Sequence, residues 1–224
     1  MEVFMKKLVF ALLLSGTVLS SSFLFTPMVL ANTPTTQSTV KASEYNNVYT
    51  SIFNTMKMEM NNVVSSGNVN LDFVTQMPPH HKGAINMSKA IVQYGSSPEV
   101  KKMAEHIVTS QEAELPVLQN MQEKFKQEGF SGKEASAMYN KKYNEIKGAM
   151  FKNMESVPLT PNADLNFLKQ MIFHHQGAID MSKNILEYTK DPELIKLTNN
   201  TIKSQSKDIK EMQRLINTLK QVNA

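Results

Sequence analysis

The chain has no cysteine and no tryptophan among its 224 residues. Without cysteine there are no disulfides, thiolate metal sites, iron–sulfur clusters, cysteine nucleophiles or Cys-linked lipid anchors. Glycine and histidine are scarce, at 8 and 5 residues. An excess of one charge is also missing. Lys and Arg (24) against Asp and Glu (20) leave a net charge of +4, too small and too dispersed for a nucleic-acid binder. There is no Gly-x-Ser-x-Gly elbow and no His-Glu-x-x-His, which removes the usual serine-hydrolase and zinc-protease signatures. No Glu stands three residues before any His, so the Glu-x-x-His of a ferritin-type di-iron site is absent. The reading is therefore of a protein that is not an enzyme. An apolar fraction of 41 % is enough for a packed core and argues against a wholly disordered chain. The abundant residue is methionine, with 16 copies, 13 of them beyond residue 28.

Long apolar runs are confined to the N-terminus. Lys6 and Lys7 precede Leu8 to Leu14, then a Ser/Gly/Thr-rich stretch and Phe23-Leu24-Phe25, with Val29-Leu30-Ala31 ahead of a cut after Ala31. This is the layout of a secretory signal peptide over residues 1–31. Leu8 to Phe25 only reaches the lower limit of about 18 residues for a bilayer span, and Ser15, Gly16 and Ser20 to Ser22 interrupt it. Losing Glu2, Lys6 and Lys7 leaves a mature charge of +3. The mature protein is expected to be periplasmic or secreted, with no stable membrane insertion after cleavage. Residues 32–40, rich in Thr, Gln, Ser and Pro, read as a flexible leader.

The rest is one unit written twice. Gln76-Met77-Pro78-Pro79-His80-His81-Lys82-Gly83-Ala84-Ile85-Asn86-Met87-Ser88-Lys89 matches Gln170-Met171-Ile172-Phe173-His174-His175-Gln176-Gly177-Ala178-Ile179-Asp180-Met181-Ser182-Lys183 at an offset of 94. The same offset pairs Phe73 with Phe167, Tyr94 with Tyr188, Pro98-Glu99 with Pro192-Glu193, and Ser110-Gln111 with Ser204-Gln205. A fixed offset without gaps is the mark of an internal repeat. Upstream, Tyr45, Tyr49, Ile52, Met56 and Met60 map onto Tyr139, Tyr143, Ile146, Met150 and Met154. Their spacing of four, three, four and four is a helical stripe.

Each unit thus has three helical segments, roughly 42–65, 71–94 and 98–127 in the first (repeat one, 41–128) and 135–156, 164–188 and 192–222 in the second (repeat two, 135–222). Ser65-Ser66-Gly67-Asn68 breaks the first pair, Ser96-x-x-Glu99 with Pro98 reads as a capping box, and Asp191 precedes Pro192 in the same way. No alternating run of β-branched residues is present. The expected fold is all-α, a helical bundle built from an internal duplication, with the two repeats packed as one domain.

The chemistry sits on the second segment of each unit. On a helical wheel Met77, His80, His81 and Met87 share an arc of about 120°, the width of a face turned toward neighbouring helices. Met171, His174, His175 and Met181 repeat it, with the small Ala84 and Ala178 inside the arc. Gly83 and Gly177 cost about 1 kcal/mol each relative to Ala in a helix, which points to close backbone approach or needed flexibility. Pro78-Pro79 should kink or restart the helix before His80. Soft thioethers favour Cu(I), and imidazole suits Cu, Zn and Ni. Silver(I), similar in charge and softness, should compete. Further candidate ligands are Met56, Met58, Met60, Met150 and Met154 on the first segments, and Met103 with His106 on the third. Methionine at helical spacing also fills cores, and core packing is the competing reading for these. Two adjacent imidazoles repeated at a fixed offset are harder to assign to packing, because burying them unpaired costs about 1–3 kcal/mol each.

The motif Met-x-x-His-His-x-Gly-Ala-Ile-x-Met resembles that of the "domain of unknown function 305" family. These are small secreted bacterial helical proteins, distantly similar to ferritin-like bundles, and CopM-like periplasmic copper binders are among them. The resemblance spans both repeats. It implies a ferritin-like four-helix core with additional helices, and copper or silver binding by Met77, His80, His81, Met87, Met171, His174, His175 and Met181. This chain departs from the pattern in carrying Pro78-Pro79 where one proline is expected, and Ile172-Phe173 where there is none. The expected function is sequestration or transfer of Cu(I), contributing to metal resistance, with metal ions and another copper-handling envelope protein as partners and no nucleic acid. The alternative is a helical interaction or structural protein of the cell envelope. The two His-His motifs make either one composite site or two separate ones.

Overall fold

The apolar stripes dictate six helices: α1 Pro34–Asn61, α2 Val69–Tyr94, α3 Pro98–Phe125, α4 Lys133–Glu155, α5 Ala163–Leu186 and α6 Pro192–Val222. This computed structural model describes residues 34–222, with side chains from 37 to 221, and among them there is no strand. The fold is all-α, as expected. The expected signal peptide, 1–31, lies outside the described residues. No helix among the described residues is long and apolar enough to cross a membrane.

The stripe read along α1 is the face it buries. Tyr45, Tyr49, Met56 and Met60 are all buried, and so are Tyr139, Tyr143, Met150 and Met154 of α4. Residues 34–40, expected as a flexible leader, instead form the first turns of α1. The side chains of residues 37–40 are exposed, so these four positions extend the helix without adding to the core.

Four of the helices start at side-chain caps. Asn68 accepts from Asn70 N and Leu71 N at the start of α2, and Asn162 accepts from Leu165 N at the start of α5. The cap of α3 is Ser97, not Ser96: its Oγ accepts from Val100 N at 3.3 Å and donates to Glu99 at 2.9 Å. Pro98 at the first helical position, where no N–H is needed, fixes this register. Asp191 caps α6 through Leu194 N at 2.8 Å.

The helix does not restart at Pro78-Pro79; α2 runs through both prolines. Pro78 has no N–H for the carbonyl of Val74 four residues back. Gln122 of α3 supplies the missing donor, its Nε2 bonding Val74 O at 2.9 Å.

α2 packs on α1 and α3, α5 packs on α4 and α6, and α2 and α5 pack on each other, while α3 also faces α6. Contacts recur at the offset of 94. Tyr45 donates to Gln170 Oε1 at 3.1 Å, and Tyr139 donates to Gln76 Oε1 at 2.7 Å. Asn140 donates to Asp72 at 2.8 Å, and Asn166 donates to Asn46 at 2.9 Å. The glycines in the motif mark close approach. A Cβ on Gly83 would overlap Met56 Sδ and lie 2.8 Å from its Cγ, and one on Gly177 would meet Met150 in the same way. α1 therefore lies directly against α2 at Gly83, and α4 against α5 at Gly177.

Candidate metal centre

The helical arc carries its residues into the middle of the molecule. Met77, His80, His81 and Met87 of α2 are all buried, as are Met171, His174, His175 and Met181 of α5. Where α2 crosses α5, the rings of His80 and His174 lie face to face, with centroids 3.7 Å apart and planes inclined by 32°. His81 and His175 flank them at centroid distances of 6.1 and 6.0 Å. The four imidazoles thus form one continuous cluster across the two repeats.

The hydrogen bonds fix the tautomers. His80 Nε2 lies 3.2 Å from His174 O, and His174 Nε2 lies 3.1 Å from His80 O. A carbonyl only accepts, so each Nε2 carries the proton and each Nδ1 keeps its lone pair. His81 Nε2 lies 2.8 Å from Glu114 Oε2, which makes it a donor as well. The Nδ1 atoms of His80, His81, His174 and His175 are all buried with no hydrogen-bond partner. Metal-ligating histidines commonly donate one ring N–H to a carbonyl or carboxylate, which orients the ring and raises the basicity of the free nitrogen. Three of these four rings are held in that way.

Burial holds His80 well below the usual histidine range, and neighbouring His81 and His175 add to the effect. His174 is lowered in the same way, by burial first and then by His80 and His175. His175 is lowered by burial, while Asp208 pulls in the other direction. The neutral ring is the form that binds metal.

Glu114 and Asp208 are residues that the motif spacing in the sequence does not single out. They stand at the offset of 94, Glu114 against His81 and Asp208 near His175 with Oδ2 at 3.6 Å from Nε2. The repeat itself held the signal, since an acid occupies both equivalent positions, three residues after Gln111 and Gln205.

The remaining candidates divide. Met56, Met60, Met150 and Met154 are buried in the core that also holds the four motif methionines, with Met56 and Met150 seated over Gly83 and Gly177. Met58 is 56 % exposed and lies off the buried stripe. Met103 is buried, whereas His106 is exposed and reaches Asp208 at 3.5 Å. Among the described residues, no three His, Asp or Glu side chains converge closely enough to hold a metal ion by themselves. A metal held at the cluster therefore takes ligands beyond that set, and thioethers are the soft donors buried with it.

A family model described as "Domain of unknown function (DUF305)" matches residues 70–216. The chain belongs to this family. The DUF305 match takes in both His-His motifs and both carboxylates. Among solved structures, CopM in the Cu(II)-bound form is 30 % identical with a TM-score of 0.51, covering 67 % of this DUF305 chain and 97 % of CopM. CopM in the Ag-bound form, obtained by soaking, is 28 % identical with a TM-score of 0.51, covering 66 % and 95 %. A DUF305 fragment from Deinococcus radiodurans shares the fold at 24 % identity and a TM-score of 0.50, over 67 % of this chain and 96 % of that one. An uncharacterized protein of Acanthamoeba polyphaga mimivirus is 42 % identical over 60 residues, which are 27 % of this chain. The chain spans 40 % of the length of that curated relative.

Proposed function

We propose that this protein handles copper outside the cytoplasm, holding Cu(I) at the α2–α5 crossing and sequestering it or passing it on without catalysing a reaction. The observation that carries the reading is the set of four buried Nδ1 atoms with no partner, three of them on rings whose Nε2 atom faces a carbonyl or carboxylate oxygen. Leaving such groups unsatisfied costs about 1–3 kcal/mol each, and ligation offsets that cost. Met77, Met87, Met171 and Met181, buried on the same two helices, supply thioethers. These lose no proton on binding and favour Cu(I) and Ag(I) over Zn(II). The likeness to CopM, solved with Cu(II) and with Ag, supports the metal class.

The test is titration of Cu(I) against a competing chromophoric chelator, with Zn(II) in parallel. The expected result is saturable Cu(I) binding, weak Zn(II) binding, and loss of Cu(I) binding in both His80→Ala/His81→Ala and His174→Ala/His175→Ala. Unchanged stoichiometry in both double variants overturns the assignment. No competition for either metal returns the protein to a structural role in the envelope.

A further inference from the structure

The two histidine–carboxylate pairs stand at equivalent positions but differ in contact. In the first repeat, His81 Nε2 donates to Glu114 Oε2 at 2.8 Å, and the same oxygen accepts from Thr201 Oγ1 of α6 at 3.4 Å. One carboxylate is thus tied both to the ring it orients and to the other repeat. In the second repeat both supports are missing. Asp208 is one methylene shorter, and its Oδ2 stops 3.6 Å from His175 Nε2, beyond hydrogen-bond length. The residue equivalent to Thr201 is Ile107, which has no hydroxyl to steady Asp208. Asp208 Oδ1 instead faces the exposed His106, at 3.5 Å.

The consequence falls on His175. Both its ring nitrogens are buried without a partner, whereas His81 lacks one only at Nδ1. A neutral imidazole carries its proton on one nitrogen or the other, and the hydrogen bond made by one of them decides which. Glu114 therefore fixes His81 with Nε2 protonated and Nδ1 bare. Among the described residues, no hydrogen bond fixes His175. Orienting a ligating ring through its second nitrogen commonly accounts for about 10–100-fold in metal affinity. One methylene and one hydroxyl thus separate a held donor from a free one.

We propose that Glu114 is a positioning residue that locks His81 as a standing ligand, and that the shorter Asp208 leaves His175 as the exchangeable ligand through which the site takes up and gives away its ion. The assignment rests on the Cu(I) reading of the cluster and adds an order to its ligands.

The test begins in the metal-free full chain, with long-range 1H–15N NMR of the histidine rings. His81 is expected with its proton on Nε2, and His175 as a mixture of both tautomers. Glu114→Ala should release His81 into such a mixture, and Glu114→Gln, which keeps an acceptor oxygen, should hold it as the wild type does. Asp208→Glu supplies the missing methylene and should move the His175 proton to Nε2. Thermal unfolding confirms the fold of each variant. With Cu(I) added, Glu114→Ala should weaken binding by at least about tenfold, and Asp208→Glu should slow transfer to a chromophoric chelator by about tenfold. A single fixed tautomer at wild-type His175, or an unchanged His81 tautomer in Glu114→Ala, overturns the proposal. So does an Asp208→Glu protein that fixes His175 without slowing transfer. If the tautomers shift as described but the wild type binds no Cu(I), the copper reading fails, and with it the exchange role, while Glu114 remains the residue that orients His81.

Discussion

Four imidazoles in one interior constrain one another. His80 and His174 cannot both be charged at a ring separation of 3.7 Å, and burial keeps them and His175 below the ordinary range. In the unfolded chain each titrates near pH 6.5. Below that pH the unfolded state takes up protons that the folded state refuses, so stability is level above about pH 6.5 and falls as pH drops further. The urea midpoint of the metal-free protein should therefore decline between about pH 6.5 and 5, and His80→Gln/His174→Gln should reduce that slope. A midpoint that rises on acidification contradicts this. The histidines stood out in the sequence because the pair is doubled at a fixed offset. Their carboxylates did not, because Glu114 lies 33 positions after His81, with no local period to tie the two together. Only the turn back along α3 brings the two together.

At the scale of helices, the motif glycines and the prolines show how neighbours alter local propensity. Gly83 has Met56 against it, a side chain 2 % exposed, so it has little room to retreat. Gly83→Ala gains about 1 kcal/mol of helix propensity but overpacks the α1–α2 contact, at about 1–3 kcal/mol. A net loss is expected, relieved by Met56→Ala in the double variant. Gly148, on α4 with nothing within 4 Å of a built Cβ, is the control: Gly148→Ala should stabilise by about 0.5–1 kcal/mol. Thermal or urea unfolding reads both, and a stabilised Gly83→Ala protein would refute the close-approach role. The close approach itself was one of two readings left open by the helix cost of these glycines. The uninterrupted α2 was not legible, because the donor replacing the Pro78 N–H is Gln122, 48 residues away from Val74. The early start of α1 was missed for a different reason. Composition marked residues 34–40 as leader, while the helix simply extends outward from the buried stripe.

For the whole molecule, the repeats are joined by reciprocal bonds. Tyr45 reaches Gln170 and Tyr139 reaches Gln76, each crossing from the first helix of one repeat to the motif helix of the other. Burial raises the ionisation of both phenols well above the usual tyrosine range, so they remain donors at any working pH. Tyr45→Phe and Tyr139→Phe should each cost about 1–3 kcal/mol by leaving a buried amide oxygen short of a partner. Losses below about 0.5 kcal/mol in equilibrium unfolding would remove these bonds from the account. The all-α class and the six segments were readable from the period and the breaks. Whether the His-His motifs form one site or two was not readable, because it depends on α2 packing against α5, a contact between faces of the same pattern.

The copper site we propose rests on the buried Nδ1 lone pairs of the histidine cluster. Long-range 1H–15N NMR of the histidine rings, before and after one equivalent of Cu(I), tests it most directly. In the metal-free protein His80, His81 and His174 should show protonated Nε2 and bare Nδ1. Cu(I) should then move the Nδ1 resonances and leave Nε2 protonated. Protonated Nδ1 in the metal-free state, or Nδ1 resonances that stoichiometric Cu(I) does not shift, would contradict it.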